Sequence, residues 1–310
     1  MQIFSVTAPV SVFSHYHFRY FSIKNDPKGG AEMLFGNEII TSRQNPTVRE
    51  LAALLDKKER RKSRLFRIDG YKLFCEAVNC GAQIKLVAIC SEKADKYLPE
   101  VQKVGVRTVL LSPDVFAKIT DEKAPDGIIA VVKYLDKIHK TLNVSDIASL
   151  ASSGRRIMAF ESLRDPGNLG TVIRSASAFG VDTLLLSSDC ADIYNPKTLR
   201  GAMGAIFSRE IIFCDDLPEA LSRFSCEGRR VLAAILDTEA VAVDKAALSG
   251  RDIILIGNEG HGLSHAAVEA SDVSVILPIN TGMGVESLNA ATAASVFMWE
   301  QRRISDLSKK

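Results

Sequence analysis

From about residue 44 onward, the chain alternates between short apolar runs and amphipathic stretches. Apolar side chains three and four residues apart predict helices, whereas continuous apolar runs of four to eight residues predict buried strands. In the first half, these rules predict helices over residues 46–55, 70–79 and 113–119, and strands over residues 65–68, 84–90, 107–111 and 128–132. Alternation of this kind is typical of a small α/β domain.

A second series of apolar runs begins near residue 157. Its predicted strands cover residues 157–160, 183–186, 231–235, 253–256 and 273–277, and its predicted helices cover residues 168–179 and 288–302. Most of these strands are continuously apolar, as expected for a parallel sheet with helices on both faces. The second half is therefore predicted to be another α/β domain.

Two stretches lie outside these domains. The beginning of the chain lacks clear periodicity and contains a breaker cluster at residues 26–30, without the features of a secretory signal or a transit peptide. A mostly polar stretch ending in Ser152-Ser153-Gly154 is typical of a linker. We therefore predict a flexible extension over residues 1–42, a first domain over 43–134, a linker over 135–155 and a second domain over 156–305.

Composition narrows the class of protein. Hydrophobic residues make up 46% of the 310 residues and charged residues 25%, which is typical of a globular chain. No apolar run reaches the roughly 18–20 residues needed to cross a bilayer, so we expect no membrane association. The six cysteines form no CxxC pair and have no histidine at metal-ligand spacing. They are typical of reduced thiols in a cytoplasmic protein without a metal site.

Charge is distributed unevenly along the chain. Residues 41–150 contain 20 Lys and Arg against 14 Asp and Glu, whereas residues 151–310 contain 16 against 20. The basic first half is the better candidate for contacting phosphate groups. Its densest positive run, residues 57–67, is explained equally well by a solvated helix face or by RNA contact. The candidate RNA-binding residues in this run are Arg60, Arg61, Lys62, Arg64 and Arg67.

Three polar segments interrupt the apolar pattern of the second domain. The first, residues 161–176, contains an Asp-Pro-Gly-Asn turn in which Asn168 is a natural helix N-cap. Arg174 follows on the next helix, amid Val172, Ile173, Ala176 and Ala178. Such an arginine either extends its charged end into solvent along its apolar stem or has a charged partner to bind.

In the second segment, an apolar strand over residues 253–256 runs into Gly257, Gly260 and Gly262. Glycines at the carboxyl end of a strand permit either a tight turn or close approach of the backbone to a ligand. Glu259 lies inside this turn, where it has no obvious packing or capping role.

The third segment ends a strand at Pro278 and delivers Ser287 and Asn289 to the start of the last helix. Both side chains are suitable helix caps. The chain lacks the GxGxxG fingerprint after a strand and the GxxxxGK[ST] phosphate loop. A Rossmann dehydrogenase and a P-loop NTPase are therefore disfavoured.

Together the three segments resemble the SpoU/TrmH family of RNA 2′-O-ribose methyltransferases. The matching motifs are NLG…R…AFG at residues 168–180, GNEGHGL at 257–263 and LPI…SLNAATA at 277–293. Three motifs in this order form a specific match. Residues 66–77 are similar to the family's N-terminal substrate-binding module, with Asp69 where glutamate is expected.

The resemblance implies a small N-terminal α/β RNA-binding domain followed by a parallel-sheet methyltransferase domain with a trefoil knot. It implies S-adenosylmethionine as the cofactor, with Gly257, Leu277, Ile279 and Leu288 as its binding residues. It also implies a homodimer formed by the C-terminal domain, and the alanine-rich last helix suits a close interface.

The implied reaction is methylation of a ribose 2′-hydroxyl in RNA, with 23S (large-subunit) ribosomal RNA as the expected substrate and transfer RNA as an alternative. Arg174 is implied as the main catalytic residue, while Asn168, Glu259, Ser287 and Asn289 are implied to orient the ribose and the arginine. Because a guanidinium has a pKa above about 12, it is a poor base. We therefore interpret Arg174 as a bidentate phosphate clamp.

Two other functions remain open at this point. A non-catalytic RNA-binding homologue would keep the fold without binding the cofactor. A base methyltransferase on the same fold would need a pocket that stacks and reads an unstacked base, whereas the three motifs favour ribose chemistry.

Overall fold

The computed structural model describes residues 35–120, 122, 124–136, 138, 142–280 and 287–307. The first unit contains a five-stranded sheet with two parallel and two antiparallel strand pairings. Its elements are β1 (Phe35–Ile40), α1 (Pro46–Ala53), α2 (Lys57–Ser63), β2 (Leu65–Asp69), α3 (Tyr71–Asn79), β3 (Ile84–Cys90), α4 (Ala94–Val104), β4 (Thr108–Leu111), α5 (Pro113–Ile119) and β5 (Ile128–Lys133). The strand order is β1-β4-β3-β5-β2, with β5 antiparallel to β3 and β2.

The second unit contains a seven-stranded sheet whose neighbouring strands are all parallel. Its elements are α6 (Val144–Ser152), β6 (Ile157–Phe160), α7 (Pro166–Phe179), β7 (Thr183–Ser187), α8 (Pro196–Ala202), β8 (Glu210–Cys214), α9 (Leu217–Cys226), β9 (Val231–Ala234), β10 (Val241–Ala242), β11 (Ile253–Ile256), α10 (His265–Glu269), β12 (Val273–Ile276) and α11 (Ala290–Leu307). The strand order is β10-β12-β9-β11-β6-β7-β8. The predicted α/β class with a parallel sheet is confirmed, and the knot stays a prediction.

Helices cover both faces of the second sheet. Apolar residues of α7, α8 and α11 share one core cluster, and those of α6, α9 and α10 share another. β6 and β11 are buried along their whole length. This two-sided burial explains why their sequences are continuous apolar runs and not alternating ones.

Part of the predicted flexible extension is structured. Residues 35–40 form the edge strand β1, in which Ile40 lies opposite Leu111 of β4. Sequence periodicity missed this strand because Gly36, Asn37 and Glu38 interrupt its apolar residues. Residues 1–34 of the predicted extension lie outside the described part of the chain.

The predicted linker also contains regular structure. α6 begins with a capping box formed by Asn143 and Asp146, and it buries Ile147 and Leu150 against the second sheet. Before α6, Ile138 pairs with Ile211 of β8. The serine-rich composition suggested a linker, but the apolar positions at helical spacing attach this stretch to the second unit.

The two units are joined by a buried aromatic stack. The ring of Tyr194 lies 4.4 Å from that of Phe66 and 4.1 Å from that of Tyr134, measured between centroids. The Tyr194 hydroxyl accepts a hydrogen bond from the backbone N–H of Leu135 at 2.9 Å. Burial raises the pKa of both tyrosines, which therefore stay neutral at physiological pH.

An ion pair next to this stack connects α2 to the loop before α8. The Arg60 guanidinium lies 2.6 Å from the Asp192 carboxylate and donates to the carbonyl oxygens of Leu54 and Leu55. Its side chain is 2% exposed, and that of Asp192 is 13% exposed. The buried Arg60 guanidinium bonds both to its own unit and to Asp192, so the ion pair holds α2 in place against the second unit.

Two of the five predicted RNA-binding residues are therefore corrected. Arg60 is occupied at the joint, and Arg67 is equally buried, where it pairs with Asp69 and donates to the Ile119 carbonyl oxygen at 2.5 Å. Neither side chain can reach RNA in this arrangement. The other three predicted contacts, Arg61, Lys62 and Arg64, are exposed.

Asp192→Ala should lower the free energy of unfolding by about 3 kcal/mol, because it leaves the buried Arg60 guanidinium without its carboxylate. Glu219→Ala is the matched control: its partner Arg223 lies in an exposed pair, which contributes at most about 0.5 kcal/mol. Urea unfolding measures both changes. Equal, small effects of the two substitutions would show that the ion pair does not stabilise the joint.

Candidate active site

A cavity of about 530 Å³ opens at the carboxyl ends of three neighbouring strands, β9, β11 and β12. This edge of a parallel sheet is where α/β proteins bind ligands, and the volume is typical of a small-molecule site. The lining comprises residues 234–236, 256–263, Val275, Leu277, Ile279, Ser287, Leu288, Ala290, Ala293 and Phe297.

The loop after β11 forms one wall of the cavity. Asn258 and Gly262 exchange two backbone hydrogen bonds, and Gly262 adopts a positive φ of 69°. A Cβ atom at Gly257 would overlap the backbone of Gly262 and Leu263. The predicted need for glycine therefore arises from the loop's own fold, which brings the backbone to the cavity surface.

The Asn258 side chain fixes this loop to its neighbours. Its amide nitrogen donates to the Ser162 carbonyl oxygen at 2.8 Å, and its amide oxygen accepts from the backbone N–H groups of Gly260 and His261. Because every polar atom of this side chain is used, the loop holds Glu259 in a defined position at the cavity edge.

A polar network joins the three sequence motifs at that position. The Glu259 carboxylate accepts a hydrogen bond from the Asn168 side-chain amide at 2.9 Å. The Asn168 amide oxygen in turn accepts from the side chain of Asn289 at 3.1 Å. The Glu259 carboxylate therefore sets the orientation of the Asn168 amide, which in turn orients the amide of Asn289, 121 residues further along the chain.

The N-cap residue of α7 differs from the one predicted from the sequence. Asp165, not Asn168, is the N-cap of α7, and its side chain accepts from the Asn168 backbone N–H at 2.8 Å. Asn168 is the third residue of the helix, so its side chain is available to Glu259. Asn289 does cap its helix, since its side-chain oxygen accepts from the N–H groups of Ala291 and Thr292.

Two exposed ion pairs flank the network. Lys197 lies 2.8 Å from Asp165, and its hydrogen bond lowers the pKa of that carboxyl. Arg164 lies 3.1 Å from Asp189. Burial alone would raise the pKa of Asp189, but hydrogen bonds from Ser162, Ser187 and Arg164 outweigh it and lower the pKa to about 2. Both carboxylates are ionised at neutral pH.

The structure brings most of the predicted site residues together. All four predicted cofactor-binding residues line the cavity, as do Glu259 and Ser287, and Asn168 and Asn289 are bonded at its edge. Arg174 is the exception. It lies on the exposed face of α7, does not line the cavity, and has no hydrogen bond or ion pair within the described residues. Residues 281–286, which precede Ser287, lie outside those residues.

Sequence reasoning missed three parts of the cavity wall. Residues 234–236 at the end of β9, His261 and Phe297 all line it. The β9 run is purely apolar and has no motif to mark it. Only the strand order, which places β9 between β11 and β12, identifies its carboxyl end as part of the site.

Two family models match the chain. The SpoU rRNA methylase family model matches residues 155–299, and the MRM3-like substrate-binding domain model matches residues 45–130. A 23S rRNA (guanosine(2553)-2′-O)-methyltransferase of Bacillus subtilis is 31% identical over 263 residues, covering 85% of this chain and 98% of the relative. The chain belongs to the SpoU methylase family.

Further SpoU relatives agree with this assignment. A 23S rRNA (uridine(2479)-2′-O)-methyltransferase of Streptomyces viridochromogenes is 28% identical, over 86% of this chain and 93% of its own length. A solved AdoMet-bound rRNA methyltransferase of Sinorhizobium meliloti superposes with a TM-score of 0.71 and 26% identity, over 86% of this chain and 97% of that one.

Two other observations concern the described residues alone. None of their helices combines the length and apolar character needed to span a membrane. No group of three or more His, Cys, Asp or Glu side chains among them is arranged to hold a metal ion.

Proposed function

We propose that this SpoU-family chain methylates a ribose 2′-hydroxyl of RNA with S-adenosylmethionine as the methyl donor, and that its substrate is 23S ribosomal RNA. The observation that carries the proposal is the network of Glu259, Asn168 and Asn289 at the edge of a ligand-sized cavity. The names of the Bacillus and Streptomyces relatives support the same reaction and the same RNA. A cytoplasmic location is part of this proposal.

The cavity fits S-adenosylmethionine in size and chemistry. Ile235, Leu277 and Leu288 provide apolar walls for an adenine ring. Gly257 lies in the cavity wall at the end of β11, and its lack of a side chain lets the loop of Gly262 and Leu263 pack against it to form that wall. Gly257, Leu277, Ile279 and Leu288 would hold the cofactor there, as the resemblance implied.

The bound cofactor would supply a methyl group on a cationic sulfur, and its transfer requires an aligned nucleophile and an acceptor for the hydroxyl proton. Alignment can supply effective molarities on the order of 10⁵ M. The Glu259 carboxylate fixes the Asn168 amide, which fixes Asn289, so the ribose meets preset hydrogen-bonding groups. Ser287 adds a hydroxyl at the cavity edge. Arg174 grips the phosphate next to the reactive ribose, and that phosphate accepts the 2′-hydroxyl proton.

We propose that the chain forms a homodimer through the exposed face of α11. Val296 and Trp299 on this face are 41% and 50% exposed, and aromatic residues are enriched at protein interfaces. Ala290, Ala291 and Ala294 are buried within the chain and so lie away from this face, whereas the half-buried Ala293 precedes Val296 by three residues.

Light scattering tests the dimer. The wild-type chain should have twice the monomer mass, and Trp299→Glu should shift it toward the monomer because a charge cannot be buried there without a partner. A monomeric wild type at micromolar concentration would contradict the proposal.

Radiolabelled methyl transfer to purified ribosomal and transfer RNA tests the substrate. We expect label in 23S RNA and none in transfer RNA. Label in transfer RNA alone would transfer the assignment to that substrate. No label and no heat of cofactor binding by calorimetry would indicate a non-catalytic RNA-binding protein.

A further inference from the structure

The joint between the two units also positions exposed cations. Arg64 ends α2 in a left-handed conformation, and its guanidinium lies over the Tyr134 ring, 4.6 Å from the centroid. Tyr134 stacks on Tyr194, which belongs to the loop before α8. A guanidinium held on an aromatic face has already lost much of its freedom, so binding a ligand costs it less.

The same loop leads directly to the catalytic network. Lys197 follows Tyr194 by three residues, a distance of at most about 11 Å between Cα atoms. Its ammonium contacts Asp165, whose carboxylate caps the helix that carries Asn168. On the other side of the loop, Asp189 binds Arg164, and the Arg164 backbone N–H lies 3.5 Å from the Glu259 carboxylate.

We call four exposed cations beside these contacts the joint strip: Arg61, Arg64, Lys197 and Arg164. The side chains of Arg164 and Lys197 are 67% and 57% exposed. Their partners Asp189 and Asp165 do not prevent them from binding phosphate, because ion pairs this exposed to solvent are weak. Asp192, the third acidic residue here, is occupied by the buried Arg60.

We propose that one segment of the substrate RNA lies along the joint strip, with its phosphates bound by Arg61 and Arg64 on the first unit and by Lys197 and Arg164 on the second. The proposal rests on the proposed function for the identity of the ligand as RNA. The ion pair of Arg60 with Asp192 positions the strip and does not touch RNA. Arg164 and Lys197 thereby become RNA-binding residues of the methyltransferase domain itself.

Filter binding of the full chain to a transcribed 23S RNA fragment, over a series of salt concentrations, tests the strip. Arg164→Gln and Lys197→Gln should each weaken binding by about 5-fold and reduce the slope of log affinity against log salt by about 1. Arg223→Gln removes a cation of similar exposure from an ion pair on α9, on the opposite face of the sheet. It should leave binding within twofold of wild type.

Neutralising the acidic partners separates phosphate contact from a structural role. Asp165→Asn keeps a side chain that can cap α7, and Asp189→Asn keeps the shape of its side chain. Both variants should bind RNA at least as tightly as wild type, because each frees a cation. Weakening equal to that of Lys197→Gln or Arg164→Gln would overturn the proposal, as would unchanged affinity of the two cation variants.

The binding measurement contains no cofactor, so its result is independent of methyl transfer. RNA that binds along the strip without being methylated would leave this inference standing and contradict the proposed function. If the wild-type chain methylates RNA but the cation variants keep full RNA affinity, the proposed function stands and the joint-strip inference is contradicted. The double variant Arg64→Gln, Arg164→Gln should lose the product of the losses of its two single variants, because the two side chains bind separate phosphates and their free-energy contributions add.

Discussion

Arg174→Ala should lower the rate of methyl transfer to RNA by about 10²–10³-fold, a loss typical of removing one group that stabilises developing charge. The guanidinium is exposed and has no hydrogen bond or ion pair among the described residues. Its removal therefore breaks no hydrogen bond or ion pair within the described part of the chain, and we expect the melting temperature and the cofactor affinity to stay unchanged. Single-turnover kinetics with saturating RNA measure the effect.

Arg174→Lys distinguishes a phosphate clamp from a simple positive charge. Lysine keeps the charge but loses the planar fork that grips two phosphate oxygens, so we expect only partial recovery of the rate. Full turnover by Arg174→Ala at unchanged RNA affinity would contradict the catalytic role.

Gly257→Ala should abolish measurable cofactor binding, with a loss of about 100-fold or more, because the added methyl group would overlap the backbone of Gly262 and Leu263. The clash lies between backbone segments, which cannot move away as a flexible side chain could. The loop would have to open at the carboxyl end of β11, which is the wall of the cavity. Calorimetry with S-adenosylmethionine measures the change.

Gly260→Ala is the matched control in the same loop. A Cβ atom there would lie 3.5 Å from the Asn258 side-chain oxygen, an ordinary contact. This variant should bind the cofactor within a few-fold of wild type. Equal losses from both substitutions would show that the loop is sensitive to any added methyl group, and the role of Gly257 would then need another explanation.

The sequence predicted the site better than it predicted the surface of the first unit. Gly257 and Glu259 were noticed because they follow directly after an apolar strand, whereas the site role of Asn289 came from the resemblance to the SpoU/TrmH family. The burial of Arg60 could not be predicted, since it depends on a carboxylate 132 residues away. A local charge count treats this arginine and its exposed neighbour Arg61 alike.

Two kinds of element were missed for similar reasons. β1 forms a strand by pairing with β4. Such pairing is not visible in the sequence of an edge strand that contains several polar residues. α6 combines a serine-rich sequence with apolar residues at helical spacing, so composition and periodicity disagreed. The cavity wall at residues 234–236 became visible only through the strand order.

The most direct test of the central claim is the chemical position of the methyl group. The chain is incubated with 23S RNA and S-adenosylmethionine, and the product is digested and analysed by mass spectrometry. We predict a nucleoside methylated on its ribose, which also makes the following phosphodiester bond resistant to alkali because no free 2′-hydroxyl remains to attack it. A methyl group on a base, or no transfer by a chain that binds the cofactor, would contradict the account.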